Sequence, residues 1–386
     1  MTQALIHPVM LRWARERLEW PADYVAKKLP VKLEKFALWE LGKAYPTFRQ
    51  AQMLARTLRI PFGYLFLSEP PDETPAIPDL RTIRDEEYIQ LSVDFLDTLN
   101  DALRKQDWYR EYLQREGAKP LHFIARYSVD DPVVTVAKDI CSTLEINSRL
   151  RRDARSWQDF LNLFIEKAES AGILVIRNSV VKNNSHRPLS VKEFRGFALS
   201  DPLAPMVFIN SRDAKAAQIF TLAHELVHLW IGESAISSPD LAHSSAEEEY
   251  QIEKFCNQVA AEVLTPQEDF LQRWNDHKNL EENIAEITRY YKVSSIVVLR
   301  RALELGRINR DDFFKQYKLE LEKQQPVRHS NGGNPYATYW TRNSKRLTQA
   351  IVSAAFEGQL LYRDAAGLLG IKVKTLQGLR ERMEGL

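Results

Sequence analysis

The run from Thr221 to Trp230, TLAHELVHLW, places two imidazoles and a carboxylate at a spacing that can do chemistry. On a helix, positions i and i+4 share one face, so His224 and His228 can reach a single Zn²⁺ while Glu225 sits beside them. A structural zinc site is closed by four protein ligands, whereas a catalytic one uses three and leaves a position for water. A third ligand is therefore needed. The downstream stretch IEKFCNQVAAEVLTP offers Glu253, with Asn257 four residues later on the same helical face and Glu262 further along. Glu253 is the preferred ligand, with Asn257 as the partner that orients a ligating imidazole. His243 and the cluster Glu247-Glu248-Glu249 are the alternatives. A bare H-E-x-x-H also arises by chance in unrelated proteins. Here it lies on a helix-compatible stretch, follows strand-like segments and precedes a second helix with a suitably placed carboxylate. The chemistry implied is hydrolysis, with Glu225 as general base on a zinc-activated water. Tyr250, Tyr290, Tyr291, His243, His186 and Arg195 are candidates for stabilising the oxyanion.

Elements must position these groups. Three strand-like runs, Ile173 to Ile176, Phe194 to Ala198 and Met206 to Ile209, precede a motif helix expected from near Asp213 to near Gly232. The second run reads either as a sheet edge able to pair with extended substrate or as a plain core strand. Helical patterns cover residues 84–116, 134–144 and 157–171, then Glu247 to Leu264, which Thr265-Pro266 stops, and a helical pair from Ile284 to Gly306. Leu347 to Phe356 and Tyr362 to Leu369 open a helical C-terminal segment. The fold class is α+β, predominantly helical, with one small β-sheet. Cys141 and Cys256 are far apart in sequence and read as reduced and structural.

The segment PADYVAKKLPVKLEKFALWELGKAYPT has the layout of a helix-turn-helix, with a first helix ending near Leu29, a turn at Pro30-Val31 and a second helix from about Lys32. Lys32, Lys35 and Lys43 are its candidates for meeting a nucleic-acid backbone. Leu33 and Glu34 do not seek phosphate, and Arg or Asn readers of base edges are absent from the helix start. Protein docking or dimerisation on the same scaffold is the competing role. The net charge of +1 over 386 residues hides an asymmetry, for residues 1–70 carry 11 Lys/Arg against 6 Asp/Glu and residues 326–386 carry 9 against 4. Basic ends suit DNA, and also suit an ordinary solvated surface. No apolar run approaches the roughly 20 residues of a membrane span, and the first thirty residues lack a signal-peptide profile. A cytoplasmic location without membrane contact is expected.

With these motifs in hand, the chain resembles an ImmA/IrrE-family metallopeptidase with an XRE-type helix-turn-helix in front. FTLAHELVHLW and EKFCNQVAAEVLTP carry the resemblance to the peptidase, and PTFRQAQMLARTLRIPFGYLFL is similar to the end of an XRE module. EFRGFALSDPLAPMVFIN and the tail NPYATYWTRNSKRLTQAIVSAAFEGQLLYRDAAGLLGIK resemble segments of multidomain relatives. The resemblance implies a gluzincin-like domain in which His224, His228 and Glu253 match the zinc ligands and Glu225 the base. Phe255 stands where many members have Glu, a departure that points to Glu253. The proline-rich stretch from Glu69 to Pro78 and the glycine- and proline-bearing stretch 325–336 read as connections, which gives the domain order: a helix-turn-helix over residues 1–69, a proline-rich linker over 70–83, a zincin over 84–324 and a basic extension over 325–386. The expected function is zinc-dependent cleavage of a specific regulatory protein, such as a transcriptional repressor. The alternative is a DNA-binding regulator or antitoxin-like protein whose zincin domain is a sensor or scaffold. A dimer is compatible with either, and docking of the basic extension on the acidic middle would be autoinhibitory.

Overall fold

The computed structural model describes residues 2–73, 91–237, 247–323 and 335–384. The readings placed on His243, on most of the proline-rich linker and on residues 325–334 lie outside the described residues, as do the side chains of Glu247, Glu248 and Glu249. The chain divides into two compact units, Met1–Ala76 with Gln90–Asp97, and Ile77–Ile89 with Thr98–Leu386.

The first unit is built from α1 (Pro8–Glu16), α2 (Ala22–Lys28), α3 (Leu33–Glu40), α4 (Phe48–Thr57) and a 3-10 turn at Phe62–Phe66. These helices are short, so their stability comes from packing rather than propensity. Leu11, Val25, Phe36, Trp39, Leu54 and Leu58 form their shared core. A capping box between Thr47 and Gln50 satisfies the free amides that open α4. Leu29 to Lys32 join α2 to α3, where the turn was expected. On the outer face of α3, Leu33 and Leu38 are 45% and 41% exposed, beside the exposed Lys32 and Lys35.

The second unit centres on a four-stranded mixed sheet: β1 (Leu174–Asn178), β2 (Gly196–Leu199), β3 (Met206–Asn210) and β4 (Ala235–Ser237), ordered β1-β3-β2-β4. β1 runs parallel to β3, and β2 is antiparallel to both β3 and β4. β2 and β3 are buried throughout, because both faces of the sheet are covered. Val175, Ala198, Val207 and Ile209 join the helical core on one face, while Phe197 stacks on its cross-strand partner Phe208 at 4.8 Å on the other. The reading of Phe194 to Ala198 as a sheet edge is corrected here. β4 follows the motif helix and pairs with β2, which makes β2 an interior strand. At three residues, β4 is too short to show any alternation in sequence.

The helices that follow the first unit are α5 (Val93–Arg115), whose first residues belong to that unit, α6 (Val133–Thr143), α7 (Ser148–Asp153), α8 (Trp157–Ser170), α9 (Lys215–Ile231), α10 (Glu247–Leu264), α11 (Gln267–Arg273), α12 (Leu280–Tyr291), α13 (Ser295–Glu304) and α14 (Arg310–Lys323). α9 lies on β2 and β3 and is flanked by α6, α8 and α10. It is buried on nearly every side, which explains its unusually apolar sequence. It stops at Gly232, whose φ of +81° few side chains tolerate. A Cβ there would lie 2.6 Å from Ala125 Cβ, since the loop carrying Ala125 donates its amide to Leu229 O and Tyr127 donates to Trp230 O.

The C-terminal extension comprises α15 (Pro335–Asn343), α16 (Lys345–Phe356), α17 (Tyr362–Leu369) and α18 (Val373–Glu384). α15 packs against β1, the sheet edge opposite β4. Ser344 Oγ and the Lys345 amide donate to Glu169 Oε1 at the end of α8, and Arg346 Nε donates to Tyr109 OH at 2.7 Å. The basic extension therefore docks on the acidic middle of the chain, at β1 and Glu169, two strands from β2.

Candidate metal centre

α9 supplies the first two donors. His224 and His228 are one turn apart, 4% and 0% exposed, and their Nε2 atoms face each other at 3.1 Å. α10 runs alongside and supplies the third: Glu253 Oε2 lies 3.3 Å from His224 Nε2, and Oε1 lies 3.3 Å from His228 Nε2. The three donor atoms fall within 4.8 Å of one another, all on buried residues.

The electrostatics follow from burial and crowding. Both Glu253 carboxylate oxygens are buried and lack a well-formed hydrogen bond. Desolvation alone would raise that carboxyl, yet the two imidazoles outweigh it and hold Glu253 far below the usual carboxylate range. Burial lowers His228, helped by the neighbouring His224, because two imidazoles this close cannot both carry a proton at low cost. His224 is also desolvated, but Glu253, Glu225 and Asn257 together raise its proton affinity. The residues fit a divalent ion: two imidazole nitrogens and one anionic oxygen converge, and His₂Glu is a donor set typical of catalytic zinc.

The remaining neighbours divide by role. Glu225 is fully buried on α9. Gly196 of β2 makes room for it, because a Cβ at that position would fall 2.9 Å from Glu225 Oε1. Asn257 Nδ2 donates to the Glu253 carbonyl at 2.7 Å. Asn257 Oδ1 and His224 Nδ1 are both buried, and Asn257 raises the proton affinity of His224 as a hydrogen-bonding neighbour, at a geometry looser than a normal bond. Sequence reading missed Cys256, whose Sγ lies 3.7 Å from His228 Nδ1. Burial pushes its thiol well up, so it stays protonated beside the ring. The CN pair that precedes QVAAEVL thus places one neighbour near each imidazole.

Other candidates are engaged elsewhere. Glu262 is paired with Arg301, which also donates to the Thr265 carbonyl. Tyr291 OH donates to Asp269 Oδ2 at 2.7 Å, and the Tyr290 ring lies under the Arg273 guanidinium. Arg195 pairs with Asp213 at 3.5 Å, and His186 is exposed on a loop. Tyr250, three residues before Glu253 on α10, is 41% exposed. Lys32, Lys35 and Lys43 belong to the first unit and are all exposed.

Comparison with known families bears on this geometry. No curated protein matches the chain. Residues 343–382 match a domain of unknown function, DUF8813. Residues 168–303, which contain all four residues of the centre, match the family model described as the IrrE N-terminal-like domain, Peptidase_M78. This stretch is therefore similar to the ImmA/IrrE family, and the match supports a metallopeptidase-type function for the domain that holds the buried His224, His228 and Glu253.

Proposed function

We propose that the chain is a zinc-dependent endopeptidase that cleaves a peptide bond in a specific regulatory protein, with a transcriptional repressor as the expected substrate. The observation that carries this reading is the convergence of the His224 and His228 Nε2 atoms with the Glu253 carboxylate, with Glu225 adjacent on α9. These three side chains would hold the ion, and Asn257 and Cys256 would steady the two rings. When bound, zinc supplies a Lewis acid that makes water nucleophilic near neutral pH and polarises a carbonyl. Glu225 takes the proton from the attacking water and delivers it to the departing amine. Burial of all four residues keeps bulk water away, which strengthens each charge interaction in the site.

In the N-terminal unit, α2 and α3 suit a helix-turn-helix whose exposed Leu33 and Leu38 favour docking of protein over DNA. Its service as a substrate-recognition module fits specific cleavage better than general digestion. Among the described residues no helix is long and apolar enough to cross a membrane; we place the protein in the cytoplasm. Labelling of new N-termini in cells producing either the wild type or Glu225→Gln tests the activity. The expected result is a small set of new termini, concentrated in one regulator and absent with Glu225→Gln. Equal cleavage by both would overturn the mechanism, and indiscriminate cleavage would overturn the specificity.

A further inference from the structure

We infer that α17, α18 and the turn between them form a DNA-binding helix-turn-helix, with the opening turns of α18 entering the major groove of a duplex. This stands independently of the peptidase reading. Three residues, Gly370, Ile371 and Lys372, join the two helices, matching the short glycine-bearing turn of that motif. Gly370 has a φ of +63°, a left-handed conformation that favours glycine, and Asn183 Nδ2 lies close against it. Ala366 and Leu369 of α17 and Leu376 and Leu379 of α18 are buried with Leu347 and Ile351 of α16 in one three-helix core. The turn is anchored from behind, since Asn183 Nδ2 donates to the Gly370 carbonyl at 3.1 Å and Asn343 Nδ2 donates to the Leu369 carbonyl at 3.0 Å.

The face left outward has the chemistry of a duplex reader. Lys372, Lys374 and Gln377 are exposed on the turn and the first two turns of α18, and no acidic residue occurs between Asp364 and Glu381. Lysines there can meet phosphates, and a glutamine on the same face can pair with an adenine edge. The matched segment 343–382 as a whole carries 7 Lys/Arg against 3 Asp/Glu. The second helix of the N-terminal unit differs in kind. α3 opens Leu33-Glu34-Lys35 after Lys32, with a glutamate between its lysines, where α18 opens Val373-Lys374 after Lys372 with no acidic residue before Glu381; both start on an exposed apolar side chain. Charge complementarity with a phosphate backbone therefore selects the C-terminal pair of helices.

The test uses the full chain and fluorescent duplexes enriched on it from a random-sequence pool, with affinity followed by anisotropy across salt concentration. The double variant Lys372→Glu/Lys374→Glu should bind at least about tenfold more weakly, and its log–log salt dependence should be shallower by about 2, as two lost phosphate contacts require. Gln377→Ala should relax base preference at one position and leave the salt dependence unchanged. Lys32→Glu/Lys35→Glu should leave both intact. The inference is overturned if no duplex is enriched, if Lys372→Glu/Lys374→Glu binds like the wild type, or if only the Lys32/Lys35 variant loses binding.

Discussion

The missing side chain of Gly196 decides whether Glu225 fits. A methyl group at that position would meet Thr221 Cγ2 at 2.6 Å, the Phe208 carbonyl oxygen at 2.8 Å and Glu225 Oε1 at 2.9 Å. The Phe208 oxygen belongs to a paired strand and cannot yield, so the base or the strand must move. Gly196→Ala is expected to destabilise the fold by about 1–3 kcal/mol, as overpacking of a filled core does, and a urea titration measures it. An unchanged midpoint would show that the space is not limiting. The two histidines and Glu225 were legible in sequence because a helix fixes their relation locally. Gly196 and Cys256 were not, because each meets its partner only after β2 or α10 has packed against α9. Glu253 lies between these cases: one carboxylate among several on its stretch, chosen by helical phase and by resemblance.

At the scale of elements, the end of α10 is tied to α13 by a buried ion pair. Glu262 and Arg301 have side chains 10% and 6% exposed, and Arg301 Nε also donates to the Thr265 carbonyl at 3.1 Å. Arg301→Met would strand a buried carboxylate and a backbone acceptor together. The expected loss is about 3–5 kcal/mol, read from thermal or denaturant unfolding. A loss below about 1 kcal/mol would mean that water already reaches Glu262. Sequence periodicity located β1, β2, β3, α9 and α10 to within a few residues, because each is long or apolar enough to carry its own signal. Strand order carried none. Whether Phe194 to Ala198 formed an edge depended on Ala235–Ser237, which pairs with β2 only after the chain has passed through α9.

Within the second unit, the C-terminal helices join the rest through packing of α15 on β1 and through polar contacts at a few points. Glu169 accepts from Ser344 Oγ and from the Lys345 amide, and burial raises its carboxyl above the usual range. Glu169→Ala leaves the start of α16 without these acceptors. Residues 335–384 should then loosen, costing about 1–3 kcal/mol, with faster tryptic cleavage within α15 and α16 than in the wild type. Unchanged cleavage rates would show that apolar packing on β1 suffices. Charge asymmetry marked this end as basic, but composition alone could not tell docking on β1 from docking over the site. The metal centre unites the two helices on which the peptidase reading rests, and metal content after zinc loading and dialysis tests it most directly. The wild type should retain about one zinc per chain, with His224→Ala and Glu253→Ala retaining under about a tenth of that and Glu225→Gln retaining it fully. A wild type that holds no zinc, or a Glu253→Ala chain that holds as much as the wild type, would contradict the three-ligand site.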